Sequence, residues 1–350
     1  SALCHEMQLR QAYISQPKTI YLGGGTPSRL TFKQLHQLFH QINLLWPNCN
    51  LDNTEITMEC NPDDITPTFC DHLRYLPINR VSMGAQTFSN ERLRFLHRRH
   101  TAEEVFTATH LLRTAGIKNI SIDLMFGFPN ETLLDWKEDL QTVLTLHPQH
   151  ISAYSLMYEE GTPLYHMQQK GLIKEISEES YLSMYNLLID TLTENGYEHY
   201  EISNFAYRGS TTEQPSPYRS RHNSNYWNET PYLGIGAAAH SYNGHSRQWN
   251  VSDIDAYINA IEKGEIPCEK ETLNTATKYN DLITTALRTR DGINLQQLQE
   301  HYPSSFYKYL IDQANPLIHQ GYIQIQNRHL YITRQGLYLS DGIMADLIYI

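Results

Sequence analysis

The first two hundred residues alternate short β-prone runs with amphipathic helical segments, and this alternation restricts the chain to a few folds. Helices separate the runs, and capping-box pairs such as Thr101 with Glu104 mark where two of them begin. Strands separated by helices of this length indicate βαβ units and a parallel sheet. The sequence therefore predicts an α/β fold, a βα barrel or part of one, with strands at Thr19–Leu22, Glu55–Cys60, Arg80–Gln86, Asn119–Phe126 and Ile151–Met157.

Polar residues are concentrated where such a fold performs its chemistry, at the C-terminal ends of the strands. The sequence places Gly24 to Thr26, Glu59, Gln86 and Asp123 at four successive strand ends. Each has a purely structural interpretation, a tight turn for the glycines and a solvated edge for the others. Together they indicate a ligand site, because a carboxylate facing a barrel interior needs a partner.

The pattern changes near residue 200. Three segments are predicted: a barrel over 1–200, a connecting segment over 201–265 and a C-terminal domain over 266–350. The last combines helical runs with a hairpin across Asn327 and Arg328, which is typical of a winged-helix-like module.

Composition limits the partners. The chain has 27 Lys and Arg against 38 Asp and Glu, a net charge of −11, which argues against general nucleic-acid binding. No apolar stretch approaches the roughly 20 residues that span a bilayer, so stable membrane insertion is not expected. Five scattered cysteines without a CxxC pair indicate a reducing, cytoplasmic location.

A second cluster of interest is the run from His222 to Trp227, which includes Tyr226. A histidine beside aromatic residues could ligate a metal or a heme iron and stack on a flat ring. A single histidine is more often a hydrogen-bonded structural residue, so both interpretations stay open on the residues alone.

At these residues the chain resembles the radical S-adenosylmethionine superfamily. It looks most like the family of oxygen-independent coproporphyrinogen III oxidase and, within it, the heme-chaperone branch HemW. The resemblance covers nearly the whole chain, and its motifs are Tyr21–Ser28, Met58–Pro62, Arg80–Phe88, Ile122–Pro129 and Glu201–Ala206.

The resemblance implies a fold and a cofactor site. The fold would be a partial (βα)6 barrel that lacks its first strand, followed by a small helical, winged-helix-like domain. Backbone groups of Gly24, Gly25 and Thr26 would hold the methionine part of S-adenosylmethionine. The remaining contacts implied for the cofactor involve Glu59, Gln86, Arg98, Asp123 for the ribose and the backbone near Met157 for the adenine.

One expected feature is missing. The superfamily binds a [4Fe–4S] cluster through three cysteines spaced CxxxCxxC, and no such spacing occurs here. We expect that the first strand and the cluster loop precede Ser1 in the intact protein. The alternative is a natural member that has lost its cluster, and in either case this chain alone should not cleave S-adenosylmethionine.

The resemblance also implies a function. The pattern His222-Asn-x-x-Tyr226-Trp227 resembles a heme-binding motif of the heme-chaperone branch. The expected function is therefore heme binding and delivery, with a heme-acceptor protein and an electron donor as partners. The alternative is oxidative decarboxylation of coproporphyrinogen III, so whether the chain is an enzyme is left open.

Overall fold

The computed structural model of the chain describes residues 1–209 and 215–350. They form two compact units. The sheet unit comprises Ile20–Phe32 and Glu55–Ser220, and the C-terminal unit comprises Ser1–Thr19, Lys33–Thr54 and Arg221–Ile350. The predicted boundaries near residues 200 and 265 stay a prediction, and positions 210–214 of the predicted connecting segment lie outside the described residues.

The strands and helices of the described residues follow the predicted alternation in the first half of the chain. The strands are β1 (Thr19–Leu22), β2 (Glu55–Cys60), β3 (Arg80–Gln86), β4 (Asn119–Phe126), β5 (His150–Ser155), β6 (Tyr197–Glu201), β7 (Asn204–Tyr207), β8 (His240–Tyr242), β9 (Ser246–Asn250), β10 (Cys268–Thr272), β11 (Ile293–Asn294), β12 (Ile323–Gln326) and β13 (His329–Ile332). The helices are α1 (Ala2–Leu9), α2 (Phe32–Leu45), α3 (Pro67–Leu73), α4 (Asn90–Phe95), α5 (Ala102–Thr114), α6 (Leu133–Thr145), α7 (Pro163–Gln169), α8 (Glu178–Glu194), α9 (Arg221–Trp227), α10 (Ile254–Glu262), α11 (Thr275–Ala286), α12 (Leu295–His301), α13 (Ser304–His319) and α14 (Ser340–Leu347).

One seven-stranded sheet organises the sheet unit, with the strand order β1-β2-β3-β4-β5-β7-β6. Strands β2 to β5 pair in parallel, which confirms the predicted α/β class. The sheet then departs from an all-parallel pattern, because β7 pairs antiparallel with β5 and β6 pairs antiparallel with β7. A hairpin closes this edge because only two residues separate β6 from β7, too few for a parallel crossover.

The two faces of the sheet differ in chemistry because strand side chains alternate. One face is apolar and fully buried, with Ile56, Val81 and Ile122 at 0% exposure. The other face carries polar residues at matched register positions: Glu59 pairs with Ser82, and Asp123 pairs with Ser152. The polar face is therefore the one suited to a ligand.

Local signals in the sequence set the helix starts of the sheet unit. Thr101 and Glu104 form the predicted capping box of α5, and Thr132 with Asp135 forms another at α6. Each pair satisfies two backbone N–H groups that a helix end leaves without partners. The apolar stripe of α5, with Val105 and Leu112 at 0% exposure, is buried.

The C-terminal unit combines helices with two small sheets, in strand orders β10-β9-β8 and β11-β13-β12. The predicted hairpin joins β12 and β13 through Asn327 and Arg328, both with positive φ, as a tight two-residue hairpin turn requires. The buried Glu6 carboxylate fixes α1 in this unit, accepting hydrogen bonds from Asn250 Nδ2 (2.7 Å) and Tyr257 Oη (2.6 Å). Among the described residues, no helix combines the length and the apolar composition that a membrane crossing requires.

Removal of the Thr101 cap tests how far local signals stabilise the fold. Thr101→Ala leaves the Glu104 N–H without its side-chain acceptor, and we expect the free energy of unfolding to fall by about 1 kcal/mol. Thr107→Ala, inside the same helix, is the control and should change it by less than about 0.5 kcal/mol. Urea denaturation followed by circular dichroism measures both, and equal losses would contradict the role of the cap.

Candidate functional site

The glycine-rich turn after β1 is shaped by close approach to β2. A Cβ on Gly23 would lie 2.4 Å from Tyr21 Cε1 and 2.9 Å from the Glu59 carboxyl carbon, so only glycine fits there. Gly24 has a φ of +75°, which favours glycine, and a Cβ there or on Gly25 would meet nothing within 4 Å. The turn therefore offers exposed backbone groups to a ligand beside the Glu59 carboxylate.

Glu59 lies near the end of β2, as predicted, and has a partner that sequence reasoning did not assign. Tyr21 Oη donates a hydrogen bond of 2.7 Å to Glu59 Oε1. Burial and the neighbouring carboxylate raise the pKa of Tyr21 well above its usual range. The tyrosine therefore stays protonated and fixes one carboxylate oxygen. The only sequence signal was its position two residues before the glycines.

Gln86 and Arg98 converge over Gly84. A Cβ on Gly84 would lie 2.8 Å from Gln86 Nε2 and 3.1 Å from Arg98 Nη2. Gln86 has a φ of +69° at an irregularity between β3 and β4, and such bulges redirect side chains. Arg98 Nη1 donates to Asn61 Oδ1 at 3.3 Å, and burial lowers the pKa of Arg98. The structure thus brings together two predicted residues that lie twelve positions apart.

Asp123 departs from its expected position. It lies in the middle of β4 rather than at its C-terminal end, and its side chain is on the polar face of the sheet. Ser82 Oγ lies 3.2 Å from each of its carboxylate oxygens. Burial raises the pKa of Asp123 to about 6, against the opposing charge of Arg80 and hydrogen bonds from Ser152 and Ser82. The strand pattern marked Asp123 as unusual, but within the correctly predicted strand it lies three residues before Phe126 rather than at the strand end.

A cavity of about 600 Å³ opens at the ends of β4 and β5, lined among others by Gly127, Met157 and Tyr158. Met157 is 64% exposed. The N–H groups of Gly127 and Phe128 donate to Glu131 Oε2 at 2.6 and 3.0 Å. Sequence reasoning missed Glu131, whose position just past a Gly-Phe-Pro turn was the available signal. The cavity adjoins the backbone that the family resemblance implies would meet an adenine.

The predicted heme cluster lies in the C-terminal unit on α9, a helix that the sequence pattern did not indicate. His222 and Tyr226 are four residues apart, so they share one face. His222 Nε2 lies 3.1 Å from Tyr226 Oη, and His222 Nδ1 lies 2.9 Å from Thr19 Oγ1. The Arg288 guanidinium lies 5.3 Å from the centre of the Trp227 ring. The structure thus places the three residues on one short helix and engages both ring nitrogens of the histidine.

Comparison with known proteins identifies the family. The Radical SAM superfamily profile matches residues 6–143, and the HemN C-terminal domain profile matches residues 273–339. The chain is 35% identical to the heme chaperone HemW of Bacillus subtilis strain 168, over 99% of this chain and 90% of that protein. The chain belongs to the HemW family of radical SAM proteins. The heme chaperone HemW of Lactococcus lactis is 32% identical, over 96% of this chain and 86% of that protein.

A solved structure supports the fold of this HemW family member. The coproporphyrinogen III oxidase HemN of Escherichia coli, described as a radical SAM enzyme, aligns with a TM-score of 0.82. The alignment covers 99% of this chain and 82% of that one at 22% identity. This likeness confirms the radical-SAM fold class.

The raised pKa of Asp123 predicts a pH-dependent cost of keeping its carboxylate buried. A carboxyl group whose pKa is higher in the folded state stabilises the fold less as the pH rises between the unfolded value, 3.8, and about 6. The free energy of unfolding of the wild type, relative to Asp123→Asn, should therefore fall by about 2 kcal/mol between pH 4 and pH 7. Urea titrations across this range measure it. A constant difference would contradict the raised pKa of Asp123, and Asp71→Asn, at an exposed carboxylate on α3, is the control variant.

Proposed function

We propose that the chain is a HemW-type heme chaperone that binds heme and passes it to an acceptor protein. The observation that carries this proposal is identity of 32–35% to two proteins named heme chaperone HemW, over nearly the whole of this chain. Side chains on α9 supply a chemically suitable site, because a neutral imidazole ligates heme iron and aromatic rings pack against a porphyrin.

His222 is the residue of α9 that would contact the iron. Its Nε2 already faces Tyr226 Oη at 3.1 Å, so iron ligation through this nitrogen requires the tyrosine to move. The Nδ1 contact with Thr19 would then hold the ring orientation, as a partner on the second nitrogen does for metal-bound histidines. Tyr226 and Trp227 would shape the pocket around the ring.

The polar face of the sheet unit fits S-adenosylmethionine in chemical terms. The exposed N–H and C=O groups of Gly24, Gly25 and Thr26 would hold its amino-acid end, and Arg98 suits its carboxylate. Asp123, kept in place by serine hydroxyls, would accept hydrogen bonds from the ribose, and the Met157 cavity would take the adenine. Bound at an iron–sulfur cluster, this cofactor supplies one-electron chemistry.

The residues of this chain do not fit the cluster itself. Within residues 1–209 and 215–350, no group of three His, Cys, Asp or Glu side chains is arranged to hold a metal ion. All five cysteines are separate free thiols. We therefore assign no step to the cluster.

Coproporphyrinogen III oxidase activity stays the alternative function. The sequence identity to the oxidase of known structure is 22%. This similarity therefore supports the fold and does not favour oxidative decarboxylation over heme transfer. An anaerobic assay with S-adenosylmethionine and coproporphyrinogen III, on a form of the protein that carries the [4Fe–4S] cluster, tests it, and formation of protoporphyrinogen would overturn the chaperone proposal. The acceptor protein and the electron donor are likewise proposals that rest on the family, and the cytoplasmic location is a proposal that rests on the cysteine pattern.

Titration with hemin tests the role of His222 directly. We expect stoichiometric binding with a Soret band, and His222→Ala should weaken the affinity at least tenfold because the iron loses a ligand. His301→Ala, which removes an exposed histidine at the end of α12 in the same unit, is the control and should bind like the wild type. Equal affinity and spectra for His222→Ala and the wild type would rule out His222 as the ligand.

Tyr226→Phe tests whether the His222–Tyr226 contact restrains binding. Removing the hydroxyl releases His222 Nε2 while keeping the ring, so hemin affinity should rise, by about threefold if the contact contributes about 0.6 kcal/mol. The difference should appear in stopped-flow association rates as well. A large loss of affinity would instead mean that the tyrosine hydroxyl itself contacts the bound heme.

A further inference from the structure

The segment that follows β2 lies between two loops of the sheet unit. Residues Asn61 to Asp64 form a tight turn, with Asp64 N–H donating to Asn61 C=O at 3.1 Å. On one side lies the glycine-rich turn, and on the other lies the loop that carries Arg98 and Arg99. The side chains of this segment contact both loops.

The glycine-rich turn depends on this segment for its anchorage. Its exposed part, Gly24 and Gly25, would not contact anything within 4 Å even with a Cβ added, so packing does not hold it. The chain becomes buried again at Ser28, which is 7% exposed. Ser28 Oγ donates a hydrogen bond of 2.8 Å to Asp64 Oδ2, so a carboxylate fixes the end of the turn.

The arginine loop is held by the same segment. Arg99 Nη2 lies 2.8 Å from Asp63 Oδ2 and 3.3 Å from Asp64 Oδ1. The preceding residue, Arg98, donates to Asn61 Oδ1 at 3.3 Å. One carboxylate, Asp64, therefore accepts from Ser28 through one oxygen and from Arg99 through the other.

Because Asp64 is buried, its hydrogen bond with Ser28 is stronger than its ion pair with Arg99. The Asp64 side chain is 5% exposed, whereas Arg99 is 54% exposed. An ion pair with an exposed arginine contributes little by itself. A hydrogen bond to a buried carboxylate is charge-assisted, and its loss leaves the carboxylate with fewer partners. Arg99 and the exposed Arg29, whose Nη1 lies 3.5 Å from Asp64 Oδ1, place positive charge beside this buried carboxylate.

We propose that Asp64, supported by Asp63, is a positioning residue that fixes the glycine-rich turn relative to Arg98. The glycine-rich turn and Arg98 are the groups assigned to the amino-acid end of S-adenosylmethionine, so the inference rests on the cofactor site of the proposed function. A ligand with neighbouring amino and carboxylate groups needs both parts at a set separation. A site fixed before binding avoids the entropy loss of ordering a mobile glycine loop.

The first test measures the turn without any ligand. Hydrogen exchange followed by mass spectrometry on the peptide covering residues 23–30 reports its mobility. Asp64→Asn and Ser28→Ala should raise the exchange rate of these amides about tenfold. Asp71→Asn, which breaks the exposed ion pair with Arg74 on α3, is the matched control and should leave them unchanged.

The second test measures ligand binding by equilibrium dialysis with S-adenosylmethionine. Asp64→Asn should weaken binding about tenfold and Ser28→Ala about fivefold. The double variant should be no weaker than Asp64→Asn, because both changes act on the same Ser28–Asp64 hydrogen bond. Hemin affinity should be the same in all of them, since α9 belongs to the other unit.

The outcomes separate this inference from the proposed function. Unchanged exchange in Asp64→Asn and Ser28→Ala overturns the positioning role. Raised exchange together with a parallel loss of hemin affinity also overturns it, because it indicates general destabilisation. If the variants raise the exchange rate but the wild type does not bind S-adenosylmethionine, the positioning role of Asp64 is supported and the cofactor assignment is rejected instead.

Discussion

The rest of the sheet unit depends on one constraint: polar groups on a buried sheet face must have partners. Strand alternation places Ser82, Asp123 and His150 on the same side of the sheet, where water is largely excluded. Each is paired: Ser82 Oγ lies 3.2 Å from the Asp123 carboxylate oxygens, and His150 lies 2.8 Å from both Ser121 Oγ and Tyr200 Oη. The burial that raises the pKa of Asp123 also lowers the pKa of His150. Such a face costs stability unless each polar group has a partner, and polar groups buried on a sheet face are typical of functional sites.

The two candidate sites use different physical solutions. The candidate cofactor site spreads over several strand ends and relies on loops that hydrogen bonds to carboxylates hold in place. Glu131 accepts from the Gly127 N–H, and Asp64 accepts from Ser28 Oγ. The candidate heme site lies on one short helix, so its geometry comes from the four-residue spacing of His222 and Tyr226. The first lies in the sheet unit, whereas the second is assigned to α9 in the C-terminal unit. This difference explains why heme binding can be tested independently of S-adenosylmethionine.

Much of the fold was predictable because its signals are local. Strands β2, β3 and β4 occupy the predicted residues, and the capping box at Thr101 marks the helix start that the structure shows. The antiparallel hairpin of β6 and β7 was not predicted, and its addition to the sheet pairs β7 with β5, whose residues lie about fifty positions earlier and leave no local signal. Helix α9 was missed for a related reason: seven polar and aromatic residues carry no apolar period, and tertiary contacts such as Thr19 with His222 stabilise it.

The sequence by itself determined the class of fold, the strand faces and the residue types of both candidate sites, because strand alternation, caps and glycine turns act over a few residues. The tertiary structure decided which of these residues meet. Tyr21 contacts Glu59, Arg98 and Gln86 both lie over Gly84, and Asp64 joins Ser28 to Arg99. The residues in these groups are 12 to 38 positions apart, and their geometry follows from how parallel strands bring separate loops to one edge of the sheet.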